Sequence, residues 1–239
     1  MLEPWHEIAK LRSVQIESGL DLTFSKVFVP YFQNLITRLK PKKILEVGGG
    51  TGHLAKILSD ISQKYVMVEP SIGMYHSARN VLAGTQVEIF NSAIETFSSS
   101  EGFDLVLSHM CVQAVENLDE FLKASFRLLS PGGSFFLSLP HPVFYNDYKR
   151  FFPAEEFRYI TEQSKKVNFS ITLDPDQPIK GIPYHHRPLS KYFSCIAAEG
   201  MCVTFFDEIY PEREIQELYG SPWEDPRYLV MGGSRRREL

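Results

Sequence analysis

The chain has 239 residues, 44% hydrophobic and 23% charged, with 25 basic against 29 acidic side chains and a formal net charge of −4. That length suits one α/β domain with decorations and a sizeable core, while the acidic balance gives no general electrostatic reason to bind nucleic acid. No apolar run of about 18 residues could cross a bilayer, and the opening MLEPWHEIAK is charged where an export signal needs apolar residues, so a cytoplasmic setting is expected.

Two helices are predicted first, over about 3–17 and 23–39, before Pro41 breaks the pattern. KILEV then reads as a buried strand of the parallel-sheet kind. A helix over about 52–61 follows, then the strand YVMVE at 65–69, a helix over about 72–82, and the strands QVEIF at 86–90 and FDLVLS at 103–108. A helix over about 117–129 ends at the stop signal PGG at 131–133, and SFFLSLP is the next strand. From about 142 to 187 the pattern dissolves into an aromatic, proline-dotted stretch, read as an insertion covering the site. A helix near 188–199 and two β-like stretches, 201–210 and 227–233, complete the chain.

Such alternation predicts right-handed crossovers and a doubly wound, seven-stranded, mostly parallel sheet with helices on both faces. As one domain it divides into an N-terminal helical cap (1–40), a core (41–140), the insertion (142–187) and a C-terminal helix with the last strands (188–239). Cys111, Cys195 and Cys202 are odd in number and lack CxxC spacing, which suggests neither a disulfide framework nor a metal site. Arg235, Arg236 and Arg237 read as a solvated tail.

LEVGGGTGHLA places four glycines in the first strand-to-helix turn, where ligands of such sheets bind. GxGxxG, the dinucleotide spacing, fits in neither frame: His53 or Thr51 falls where glycine is needed. What fits is an acid followed by GxGxG, namely Glu46, Gly48, Gly50 and Gly52, with Gly49 between. A carboxylate beside the turn is hostile to phosphate and suited to a ligand with a cationic amine. At the end of the second strand, Glu69 is placed to accept both hydroxyls of a ribose.

These residues resemble the class I S-adenosylmethionine-dependent methyltransferases, particularly the small-molecule group similar to ubiquinone/menaquinone-biosynthesis and malonyl-carrier-protein methyltransferases. LEVGGGTGHLA is similar to that family's first motif and VMVEPSIGMYHSAR to its second. The resemblance implies S-adenosyl-L-methionine as cofactor, Glu69 as the ribose acid, and Pro70 and Met74 beside the adenine. NSAIETF implies adenine-edge contacts from Ser92, Ala93 and Ile94, with Ser92 replacing the usual aspartate. FDLVLSHMCVQAVENLDEFLKASFRLLSPGGSFFLSLP is similar to the longest family stretch and puts Ser108, His109 and Met110 beneath the methionine part.

Methyl transfer from a sulfonium is an in-line displacement whose donor is already activated, so the protein must chiefly position the acceptor and exclude water. A base is needed only where the acceptor carries a proton to lose. His141 is the first candidate, with His109 and His185 behind it and Tyr184 and Arg187 as residues that shape the pocket. A small-molecule acceptor is expected, since the (D/N)PP(Y/F) tetrad of nucleic-acid methylation is absent where the chain reads SHMC. The aromatic residues of 142–160 suit either lid packing or a wall for a flat, greasy acceptor. The alternative function is a non-catalytic module of methyltransferase type that holds the cofactor or a protein, and the oligomeric state stays open.

Overall fold

A computed structural model describes residues 3–220 and 222–235; Arg236 and Arg237 of the basic run lie outside the described residues. Seven strands form one sheet: β1 (Lys43–Val47), β2 (Lys64–Val68), β3 (Glu88–Phe90), β4 (Phe103–His109), β5 (Leu129–Pro140), β8 (Met201–Ile209) and β9 (Tyr228–Arg235). Their order is β3-β2-β1-β4-β5-β9-β8. The first five run parallel, and β9 lies antiparallel to both its neighbours. The order reverses between β1 and β4, so the cleft opens at their carboxyl ends. This is the doubly wound architecture expected from the alternation.

Strands such as KILEV are apolar without a break because both sheet faces are covered. Ile44 packs into one core with Phe32, Leu58 and Tyr65, while Leu45 turns to the opposite core with Leu122 and Phe126. The helices α2 (Val29–Leu39), α3 (His53–Leu58), α4 (Ile72–Val81), α5 (Leu118–Phe126) and α7 (Leu189–Ala198) supply these layers. Ser71 caps α4 by accepting from Met74 N–H, and Asn117 caps α5 by accepting from Glu120 N–H. No helix among the described residues is long and apolar enough to cross a membrane.

Four details differ from the sequence reading. The second N-terminal helix is split, beginning as a π-helical turn at Thr23–Phe28 before α2. PGG does not precede β5 but lies within it: the pairing jumps from Phe103↔Leu129 to Leu105↔Ser134, and the intervening residues bulge. The aperiodic insertion contains a short helix, α6 (Tyr145–Lys149), and a two-stranded antiparallel ribbon, β6 (Gln163–Ile171) with β7 (Asp174–His186). Pro175, Pro178 and Pro183 hid β7, because proline ordinarily argues against a strand; in a two-stranded ribbon every strand is an edge and tolerates it. A further short helix, α8 (Arg213–Glu217), carries no periodic signal.

The N-terminal helix α1 (Glu3–Glu17) lies across the cleft against α4 and the ribbon. Buried Gln15 donates to Asp174 Oδ2 at 3.0 Å and accepts from Arg12 at 2.9 Å. On the other side Ser13 meets Ser77 at 2.5 Å. Gly73 permits this approach, since a Cβ there would stand 2.5 Å from His6 O. Gly→Ala inside a helix ordinarily gains about 1 kcal/mol. Here Gly73→Ala is expected to lose about 1–3 kcal/mol by overpacking, with faster proteolysis within α1, read from denaturant melts and limited digestion.

Candidate functional site

At the carboxyl ends of β1, β2 and β4 lies a cavity of about 480 Å³, closed over by α1, the π-helical turn and the ribbon. The volume falls in the range of small-molecule and cofactor sites, about 300–1,000 Å³. Its floor is the glycine turn. Gly48 and Gly49 N–H both donate to Val68 O, Gly50 N–H donates to Glu69 Oε2 at 2.9 Å, and Gly52 N–H donates to Gly49 O. All four glycine amides are thus engaged within the protein rather than held free for a phosphate.

Glu69, at the end of β2, is buried and lines the cavity. Its second oxygen, Oε1, accepts Ser71 N–H at 2.8 Å, and Asn91 Nδ2 donates to the Glu69 carbonyl at 2.8 Å. Burial pushes its carboxyl up to about 6, against the two backbone donors that stabilise the anion. Each oxygen keeps a lone pair for a ligand hydroxyl. Strand alternation sets Glu46 on the face of Ile44, where Tyr65 donates to its Oε2 at 2.8 Å. Burial raises Glu46 further, to about 8, so in the free protein it holds a proton at neutral pH.

Met110 sits at φ +48°, a left-handed conformation that a side chain rarely adopts. Ser138 holds it there: the Met110 N–H donates to Ser138 O at 2.9 Å and reaches Ser138 Oγ at 3.1 Å. That hydroxyl also meets His109 Nδ1 at 2.7 Å. Phe28 packs edge-on to the imidazole, at 4.5 Å between centroids. His109 is half-buried and opens onto the cavity, and desolvation pushes it down to about 3.

A family model described as a methyltransferase domain matches residues 26–171, more than half of the chain. The chain belongs to the methyltransferase domain family. Among curated relatives, the ubiquinone biosynthesis O-methyltransferase of Rattus norvegicus is 28% identical over 107 residues, covering 42% of this chain and 31% of that protein. The malonyl-[acyl-carrier protein] O-methyltransferase of Priestia megaterium is 31% identical over 97 residues, 40% of this chain and 35% of that one. The matched segment therefore spans about a third of these relatives. The crystal structure of an S-adenosylmethionine-dependent methyltransferase from Mesorhizobium loti superposes at a TM-score of 0.68, with 20% identity, over 86% of this chain and 96% of that one.

In this methyltransferase the cavity gathers Glu46, Gly48, Gly49, Gly50, Glu69, Pro70, Met74, Ala93, Ile94, His109 and Met110. Five residues expected there stand elsewhere. Gly52 opens α3 at φ +79°, and a Cβ on it would press on Ala78 and Leu82 of α4 at 3.0 and 3.1 Å. Ser108 is buried behind the turn, donating to Val47 O at 3.1 Å. Ser92 donates to Ala93 O. His141 is fully buried away from the cavity, accepting Val143 N–H at Nδ1 and pairing through Nε2 with Glu208 at 2.9 Å. His185, next to cavity-lining Tyr184, turns to the other side of β7 and bonds Ser164. Of the three candidate bases only His109 faces the cavity.

Several contributors escaped the sequence reading. Tyr65 supports Glu46, and Asp21 Oδ1 accepts Phe24 N–H while its Oδ2 pairs with Arg12 at 2.6 Å. Arg187, considered only as a pocket-shaping residue, is buried and donates to the carbonyls of Val112, Val115 and Glu116, fixing the cavity wall that follows β4. Tyr65 and Arg187 have no motif, since each acts through a partner remote in sequence.

Glu46 carries a pH signature. Its carboxyl is raised from 4.5 to about 8 on folding, so its contribution to stability is complete below the unfolded value and is lost as pH climbs toward 8. Between about pH 6.5 and 8, melting temperature should fall in the wild type, and Glu46→Gln should flatten that fall in the ligand-free protein by thermal scans across the interval.

Proposed function

We propose that this methyltransferase binds S-adenosyl-L-methionine along the floor of the cavity and passes its methyl group to a small-molecule acceptor by in-line displacement. The observation that carries the reading is the pair of buried carboxyls at one glycine turn, Glu46 on β1 and Glu69 on β2, both lining a single cavity. Glu69 accepts the ribose hydroxyls on its remaining lone pairs. Glu46 meets the ammonium of the methionine moiety, and Arg12, half-buried at the mouth, faces its carboxylate. Pro70, Met74, Ala93 and Ile94 surround the adenine. Met110 holds the sulfonium end beside His109 and Phe28. The structural neighbour named for its S-adenosylmethionine dependence supports the choice of cofactor.

When bound, the cofactor supplies an electrophilic methyl already activated by positive charge. The chain's own residues orient it, and the ring of α1, the π-helical turn and the ribbon keeps water from it. His109, neutral through burial, offers a ring nitrogen for hydrogen bonding to the acceptor rather than a stored positive charge. His141 has no such part, both nitrogens being engaged. Ser92, Ser108 and Gly52 act by shaping the walls. Of the described residues, 3–40 cap the site, 41–140 form its floor, 142–187 roof the acceptor side and 188–220 with 222–235 close the sheet. The setting under this reading is cytoplasmic and the acceptor a dissolved metabolite rather than nucleic acid, supported by the acidic net charge.

Two outcomes are expected. Glu69→Ala should weaken S-adenosylmethionine binding by about 1.5–3 kcal/mol in calorimetry, the scale of hydrogen bonds to a charged group; unchanged affinity would remove Glu69 from the ribose. Ammonium binding should drive the neutral Glu46 carboxyl to ionise, so titrations at pH 7 in buffers of differing ionisation enthalpy should report release of up to about one proton, absent in Glu46→Gln. Incubation with labelled methyl donor and a metabolite extract then separates enzyme from binding module: labelled product marks the enzyme, and none across a broad extract marks the module.

A further inference from the structure

The cavity extends past the proposed cofactor floor to a chamber lined by the β6–β7 ribbon, part of the same space. Its walls are aromatic: Phe28 from the π-helical turn, Tyr145 and Tyr148 from α6, Phe151 after it, and Phe169 and Tyr184 from the ribbon. Tyr145 meets Phe151 at 5.8 Å and Phe151 meets Tyr184 at 4.9 Å, both edge to face, which fixes the rings as a rigid surface. Val167, Ile171 and Ile182 fill the gaps between them. A sugar or a zwitterionic amino acid would lose its hydration here without recovering hydrogen bonds, whereas a ring or hydrocarbon chain would gain contact on every side.

Arg227 stacks on Tyr148 at 3.8 Å without lining the cavity, and one charged side chain of this region does line it. Lys149, the last residue of α6, is half-buried on the chamber wall; its Nζ donates to Ser170 O at 3.1 Å and lies 4.6 Å over the Tyr148 ring. Among the described residues no carboxylate comes within ion-pair distance of it, in contrast to Arg12, which is matched by Asp21 at 2.6 Å. The ammonium keeps donors free and is attracted by whatever negative charge enters the chamber. A lysine needed only for solubility would point outward, not onto the wall of an aromatic pocket.

We propose that the acceptor is an apolar ring or chain compound carrying one anionic group, held by the aromatic wall under the ribbon with the anion against Lys149. This rests on the proposed methyl transfer, since it names the acceptor of that same site. The probes are 2-naphthoate, 2-naphthol and 2-naphthylmethylammonium, equal in ring area and different in charge, titrated into protein saturated with S-adenosylhomocysteine. Naphthoate should bind tightest, by about tenfold over the cation. Lys149→Met should erase that order while still binding naphthol, and Tyr148→Ala should weaken all three. Unaltered affinity of both variants for S-adenosylhomocysteine shows that they fold.

If S-adenosylhomocysteine binds and no naphthyl probe does, or if Lys149→Met keeps the preference for the anion, the acceptor assignment is overturned. If S-adenosylhomocysteine itself fails to bind, the cofactor reading fails instead. The same three probes, titrated into the free protein, then still decide whether the chamber selects apolar anions.

Discussion

Two backbone amides, from Gly50 and Ser71, close on the two oxygens of a single buried carboxylate, Glu69. This clasp joins the turn after β1 to the turn after β2, and the geometry of the site follows from it. It sets where α3 and α4 begin, how the glycine turn curves, and how deep the cavity floor lies. Asn91 extends it by donating to the carbonyls of Glu69 and Pro70, which ties in the segment after β3. Charge-assisted bonds of this kind in a desolvated position are strong, and losing the acceptor would leave two backbone donors buried without partners.

The glycines of the turn gain a different meaning in this light. A Cβ at Gly48 would collide with the Cys111 thiol, one at Gly49 would stand 2.5 Å from Met67, and one at Gly52 would crowd α4. Three of the four glycines therefore let strand, thiol and helix close on one another. Gly50 alone has open space beside it. A glycine-rich turn that looks made for a ligand is, residue by residue, chiefly a device for packing secondary structure tightly enough to hold one.

The cavity is also divided by chemistry. Acids stand on the side of β1 and β2, where burial disfavours their charges; aromatic rings stand on the side of α6 and the ribbon. Between them Met110, in its strained conformation, and half-buried His109 are both anchored to Ser138 on β5. α1 spans the two halves through Gln15 and Asp174.

Much of this was written locally. The alternation of apolar runs with helical stretches determined the doubly wound sheet, because a strand buried on both faces leaves no other composition open to it. Glu46 and Glu69 were legible for the same reason: each lies at a strand end, a fixed number of residues from a turn. What the sequence left undecided was the direction of side chains whose neighbours come from afar. His141 and His185 sit beside the cleft in the chain but face away from it, since Glu208 and Ser164 are their partners across strands. The ribbon of β6 and β7 was masked by its prolines, and with it the part of the aromatic wall that the ribbon supplies and the unmatched Lys149. Local periodicity can say that a residue is near the site; only the packing of distant segments decides whether it points in.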